Sequence, residues 1–141
     1  MSTTTAADGT IERELRIAAR PATVFRFWTD PARMAQWMGR EIRLDPRPGG
    51  EVHIDYNGED IVRGAFVAVE PPTRLVFTWG WEAPGDPTPP GASTVEVILE
   101  ADGEETILRL RHSGLSADTV AGHATGWDQF LPALISAANA A

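Results

Sequence analysis

Between residues 41 and 112 turn-forming clusters recur so often that no helix of ordinary length fits among them. They are Pro46-Arg47-Pro48-Gly49-Gly50, Asn57-Gly58, Pro71-Pro72, the stretch 84–91, and Asp102-Gly103. Each ends an apolar run of strand length: Gly supplies positive φ, Pro withdraws a backbone donor, and Asn and Asp tolerate the left-handed region. Strands that follow one another this closely pair antiparallel, because a parallel pair needs a crossover of a dozen or more residues. Asp102-Gly103, between strands expected at 94–101 and 104–112, is the clearest hairpin.

Helical periods occur only at the two ends. Near the start, residues 11–18 alternate as a strand, with Ile11, Arg13, Leu15 and Ile17 on one side. Pro21 then suits a first helical turn, and Val24, Phe27 and Trp28 fall on one stripe. Asp30-Pro31 restarts the pattern as an N-cap followed by proline, which predicts a second short helix through Trp37, ended by Gly39. At the other end Ser116 reads as an N-cap for a helix over 116–138. Its stripe is Val120, His123, Ala124, Trp127, Leu131, Leu134 and Ala138. Pro132 lies inside that stripe, which predicts a kink over 128–131, since proline cannot bond the carbonyl of Asp128.

At 141 residues the chain fits one domain, expected over 11–141 after a flexible tail at 1–10, with 84–91 the other mobile stretch. The net charge is -8 and all twelve cations are arginines, scattered along the chain, which argues against a nucleic-acid partner. With no cysteine there is neither a disulfide nor a thiolate. No apolar run reaches the roughly 18 residues of a membrane span, and the first ten residues lack a signal-peptide pattern, so a cytoplasmic protein without membrane insertion is expected.

Four blocks in order resemble one superfamily. They are Pro21 to Gly39 with Thr29-Asp30-Pro31 and Gln36-Trp37; Asp45-Pro46-Arg47-Pro48-Gly49-Gly50; Glu70-Pro71-Pro72-Thr73-Arg74-Leu75-Val76-Phe77-Thr78-Trp79; and His123-Ala124-Thr125-Gly126-Trp127. Together they are similar to the SRPBCC superfamily, and within it to the branch of the activator of heat-shock-protein-90 ATPase homologue. The resemblance implies an α+β helix-grip (START-like) fold: a curved antiparallel sheet of about six to seven strands around a long C-terminal helix, with two short helices after the first strand. It also implies a cavity between sheet and helix. The chain departs from the family pattern at Pro132, and at Arg20, where a small capping residue is usual.

Leu75, Phe77, Trp79 and Trp81 alternate along one strand and share a face, which the long helix can meet with Trp127, Phe130, Leu131 and Leu134. Core filling accounts for any one ring; the group on one face points to an apolar cavity, for which Trp37, Tyr56 and Phe66 are further lining candidates. Tyr56, on the face of Val52 and Ile54, could hold a ligand oxygen, whereas His53 is expected on the opposite, exposed face. His112 and His123 could converge at one end of the cavity, as core residues or as acid and base. Three histidines without short helical spacing make no metal site, and no nucleotide, nucleophile or cofactor motif is present. The leading expectation is binding of a hydrophobic or polycyclic small molecule, such as a lipid or polyketide, for transport or sequestration by a monomer or homodimer. A cyclase- or dehydratase-type enzyme and a co-chaperone-like partner protein are the alternatives.

Overall fold

The computed structural model describes residues 2–6 and 8–141. The chain opens with strands β1 (Ser2–Thr5) and β2 (Ile11–Ile17), followed by helices α1 (Pro21–Thr29) and α2 (Pro31–Met34). Six strands come next: β3 (Glu41–Leu44), β4 (Glu51–Asp55), β5 (Ile61–Glu70), β6 (Arg74–Trp79), β7 (Ser93–Asp102) and β8 (Glu105–Ser113). A 3-10 turn, Ala117–Thr119, leads into the long helix α3 (Val120–Asn139). All strand pairs are antiparallel, in the spatial order β1-β2-β8-β7-β6-β5-β4-β3. This is the helix-grip arrangement, with eight strands because Ser2–Thr5, in the segment read as a flexible tail, pairs with β2.

One face of the sheet is buried and the other is wet. On β2 the pattern is strictly alternate, with Ile11, Arg13, Leu15 and Ile17 inside; β7 contributes Val95, Val97 and Leu99, and β8 contributes Leu108 and Leu110. The outer face carries charge ladders such as Glu14–Arg109–Glu100, with N–O distances of 2.9 and 2.7 Å. Among the described residues the large apolar side chains exposed on the surface are Val67 and Ile98, on separate strands.

Helix α3 closes the buried face. Its C-terminal half packs Leu131, Leu134 and Ala138, all fully buried, against β2 and α1. A bidentate ion pair reinforces the contact: Arg13 Nε and Nη2 on β2 donate to the Asp128 carboxylate at 2.7 and 3.2 Å. Trp37 seals the other side of the core, its indole N–H donating to the Phe27 carbonyl of α1 at 2.9 Å. No helix is long and apolar enough to cross a membrane among the described residues.

Several local expectations change. Helix α2 ends at Met34 instead of reaching Trp37, and the residues beyond it form turns. The β7–β8 turn is Gly103-Glu104, flanked by the pair Asp102↔Glu105, with Gly103 at φ 63° and Glu104 at negative φ. A type II′ turn has that signature, which moves the glycine to the first central position. Arg20 provides no side-chain cap for α1; its guanidinium pairs with Glu104 at 3.0 Å instead, and Pro21 starts the helix. Ser116 opens the 3-10 turn, and α3 then runs without interruption through Pro132.

His53, expected to be exposed, is buried. The arginines opposite it on the two neighbouring strands, Arg43 and Arg63, explain this: their long side chains cover it, and Arg43 Nη2 lies 3.1 Å from its Nδ1. Segment 84–91 is anchored at Thr88, which is 1% exposed. Trp81 N–H donates to the Thr88 carbonyl at 2.8 Å, and the Asp86 side chain accepts from Thr88 N–H at 2.8 Å. Gly80 is required beneath this segment, because a Cβ there would collide with the Pro89 carbonyl oxygen.

Candidate functional site

A cavity of about 420 Å³ opens between the end of β6 and the first half of α3. The helix presents one continuous face to it, Thr119, Gly122, His123, Gly126, Trp127 and Phe130, spaced three and four residues apart. The sheet side supplies Trp79 from β6 and Trp81 just beyond it, where an isolated bridge to Val62 prolongs the strand. Met38 and Tyr56 complete the lining, with Asp118 at the N-terminal end of the helix.

The room is made by two glycines. A Cβ built on Gly122 or on Gly126 would meet no atom within 4 Å, so each position opens onto empty space. Glycine inside a helix costs about 1 kcal/mol relative to alanine, and α3 carries two such residues one turn apart on the cavity face. Pro132 is not part of the lining, which lies entirely N-terminal to it on this helix.

Behind the cavity the rings continue as an aromatic chain. Trp28 packs edge-on to Trp37 with centroids 4.8 Å apart and lies 6.3 Å from Trp127; Trp127 lies 5.4 Å from Trp79. Trp79 meets Trp81 at 5.9 Å, and Tyr56 bridges Trp81 at 5.8 Å and Phe130 at 5.3 Å. Offset and edge-on contacts at these distances hold rings in fixed orientations. The cavity wall is therefore the exposed end of a rigid core cluster.

Of the residues expected at the cavity, Tyr56, Trp79, Trp81, His123, Trp127 and Phe130 line it. Trp37, Phe66, Phe77, Leu131 and Leu134 are buried in the core and are not part of this lining. His112, fully buried, stands just behind the wall, its ring centroid 5.5 Å from that of His123. Met38, Asp118, Thr119, Gly122 and Gly126 were not anticipated. The one signal for the glycines was their placement, one turn apart, on the apolar stripe.

The two imidazoles are locked by tryptophans. An indole N–H can only donate, so an imidazole nitrogen that receives one must be unprotonated. Trp127 Nε1 donates to His112 Nδ1 at 3.0 Å, and Trp81 Nε1 donates to His123 Nε2 at 3.0 Å. The remaining ring nitrogens are then the donors. His112 Nε2 donates to Ser93 Oγ at 2.9 Å, whose hydroxyl passes the bond to the Trp79 carbonyl at 2.8 Å; His123 Nδ1 donates to the Thr119 carbonyl at 2.8 Å. Hence the two histidines adopt opposite tautomers and every ring nitrogen is occupied.

Burial, with a smaller contribution from His123, pushes the His112 pKa down to about 3. Burial raises the Tyr56 hydroxyl above its ordinary value, which keeps it a neutral phenol. No group of three or more histidine, aspartate or glutamate side chains capable of holding a metal ion is found among the described residues.

Comparison with known proteins agrees with the fold. The model of the family described as Activator of Hsp90 ATPase homolog 1-like protein matches residues 18–139. The AHSA1-like protein of Rhizobium etli is 42% identical over 92% of this chain and 81% of its own, with a TM-score of 0.72. CalU16 of Micromonospora echinospora is 28% identical over 96% of this chain and 82% of its own, at TM-score 0.73. DynU16, a protein in the dynemicin biosynthetic locus, is 27% identical over 92% of this chain but 46% of its own, at TM-score 0.78. No functionally curated protein matches the chain.

Proposed function

The chain belongs to the family of Activator of Hsp90 ATPase homolog 1-like proteins, and from that premise we propose that it binds an apolar, ring-bearing small molecule in the cavity between Trp79, Trp81 and α3. One observation carries the reading: the wall is aromatic, the indole N–H groups of Trp81 and Trp127 are taken up by the two histidines, and the buried Trp79 indole N–H is left without a partner, so the site offers a ligand shape and ring surface with few polar groups. The cavity volume, about 420 Å³, falls within the roughly 300–1,000 Å³ of small-molecule sites. Similarity to DynU16, from a locus that makes a natural product, supports a polycyclic or polyketide-like ligand held for transport or sequestration.

The alternative, a cyclase or dehydratase, needs an acid or base free to exchange a proton with substrate. Here His112 is shielded behind Trp127, and His123 would have to release Trp81 before its Nε2 could accept a proton. That makes the two histidines parts of the scaffold, and binding the better supported role.

The test uses intrinsic fluorescence, because three of the chain's five tryptophans line the cavity. Titration with a panel of polycyclic aromatic, polyketide and fatty-acyl compounds is expected to give saturable quenching and a rise in Tm with the ring-bearing members. Absence of both effects across the panel would overturn the proposal.

A further inference from the structure

Three indoles line the cavity, and the protein supplies an acceptor for two of them. Trp81 N–H is received by His123 and Trp127 N–H by His112. The Nε1 of Trp79 is buried and has no partner among the described residues. The side chains around it explain why. The rings of His112 and His123 stand 5.5 and 6.4 Å from that of Trp79, but each imidazole has spent its one acceptor nitrogen on another tryptophan. Phe77, Trp81 and Trp127 turn ring surface toward it. The Ser93 hydroxyl receives His112 and donates to the Trp79 main-chain carbonyl, not to its indole.

A buried donor without an acceptor costs free energy that a bound acceptor recovers. Position decides whether a ligand can be that acceptor. Trp28 Nε1 is also unpartnered, but Trp28 is a core residue outside the lining. Trp79 stands in the wall, so the open side of its surroundings is the cavity. With Trp127 it forms the deep part of that wall, the two being 4% and 2% exposed, whereas Tyr56, Trp81 and Phe130 are half-buried.

An indole N–H can only donate, so it selects for an acceptor. A ligand hydroxyl placed there would bring a proton of its own, for which neither imidazole has a free lone pair. A carbonyl oxygen only accepts. We infer that the ligand carries a carbonyl on its ring system, as aromatic ketones and quinones do, and that Trp79 Nε1 donates to this oxygen at the deep end of the cavity while the ring body lies outward against Trp81 and Phe130. This rests on the cavity being a binding site, and it adds the polar group that the site selects. The Tyr56 hydroxyl, a neutral phenol on the same cavity, can donate or accept and so admits either kind of ligand oxygen; Trp79 is the residue that discriminates.

Fluorenone and fluorene test this, since they share a planar tricyclic shape and differ by a carbonyl in place of a methylene. Each is titrated against bound pyrenylmethanol, with displacement read from tryptophan-to-pyrene energy transfer. The wild type is expected to bind fluorenone about tenfold tighter than fluorene, although loss of carbonyl hydration alone favours the reverse. In Trp79→Phe, which keeps a ring and the main-chain carbonyl that Ser93 holds, the two should bind within about twofold of each other. This ratio is insensitive to a general loss of affinity. The wild type supplies a readout that needs no variant: in NMR spectra the Trp79 indole proton should move downfield with fluorenone relative to fluorene. Equal binding in the wild type, a preference that survives in Trp79→Phe, or an indole proton that responds identically to both probes overturns the carbonyl assignment alone. Displacement by neither probe, with pyrenylmethanol bound, does the same. Binding of none of the three compounds overturns the cavity reading and the carbonyl assignment with it.

Discussion

Gly126→Leu is expected to abolish ligand binding while leaving the protein at least as stable as the wild type. The two effects share one cause. The position is helical with negative φ and opens onto empty space, so a side chain enters without backbone strain or collision at Cβ. Replacing glycine in the helix interior gains about 1 kcal/mol of helix propensity, which corresponds to a Tm increase of about 2–4 °C in a domain of this size. The leucine then occupies the cavity space that Gly126 leaves open and that a ring would fill, and a loss of roughly 100-fold or more in affinity is expected, equivalent to about 2.7 kcal/mol. Gly126→Ala should give the stability gain with a smaller loss of binding. Thermal denaturation and fluorescence titration of the same samples check both; a destabilised Gly126→Leu protein, or one that binds as before, contradicts the role given to this glycine.

The second large effect is a dependence of stability on pH that belongs to His112. Its pKa is near 3 in the fold against an ordinary value of 6.5, so between these limits the unfolded chain binds a proton that the folded protein refuses. The His112 contribution is therefore complete above pH 6.5 and is lost as the pH falls toward 3. The slope is about 1.4 kcal/mol per pH unit and the total about 4–5 kcal/mol across the window. The Glu51 carboxyl is held below its ordinary value, chiefly by the hydrogen bond from Arg43, and so adds a loss of stability of the same sign on acidification. His112→Gln isolates the histidine: the amide oxygen can accept from Trp127 Nε1 and its NH2 can donate to Ser93 Oγ, but nothing titrates. Urea denaturation from pH 7 to pH 4 should show wild type losing more stability than His112→Gln by an amount that grows steadily below 6.5. Parallel profiles would contradict the assignment of the slope to this residue.

Much of the architecture was legible because each element left a period in the sequence. Proline- and glycine-rich turns forced the meander of strands, alternation placed Ile11 to Ile17, and the stripe of Trp127, Leu131, Leu134 and Ala138 oriented the last helix. The aromatic face of Trp79 and Trp81 and its helical partner Trp127 were legible for the same reason. The origin of the cavity was not. Space opens at Gly122 and Gly126, whose effect is a missing side chain that no hydropathy pattern registers. Phe66, Phe77, Leu131 and Leu134 could not be told from cavity residues in advance, since filled core and cavity wall demand the same apolar character on the same face. His53 was misplaced because alternation alone ignores what neighbouring strands lay over a residue.

The pairing of each histidine with a tryptophan N–H likewise depends on geometry that spans the fold. His112 and Trp127 come from a strand and a helix, and Trp81 reaches His123 from beyond the end of β6. These bonds make one nitrogen of each imidazole an acceptor and leave the other as a donor.

The five tryptophans allow the central claim to be tested residue by residue. Trp79, Trp81 and Trp127 line the cavity, whereas Trp28 and Trp37 are core residues outside it. In a two-dimensional nitrogen–proton NMR spectrum each indole N–H gives one cross-peak, assignable by single tryptophan-to-phenylalanine variants. Titration with pyrenylmethanol, which carries no charge, is expected to shift the peaks of Trp79, Trp81 and Trp127 in a saturable manner while those of Trp28 and Trp37 move far less. Shifts led by Trp28 and Trp37, or a spectrum unchanged at saturating probe, would contradict the assignment of the cavity as a ligand site.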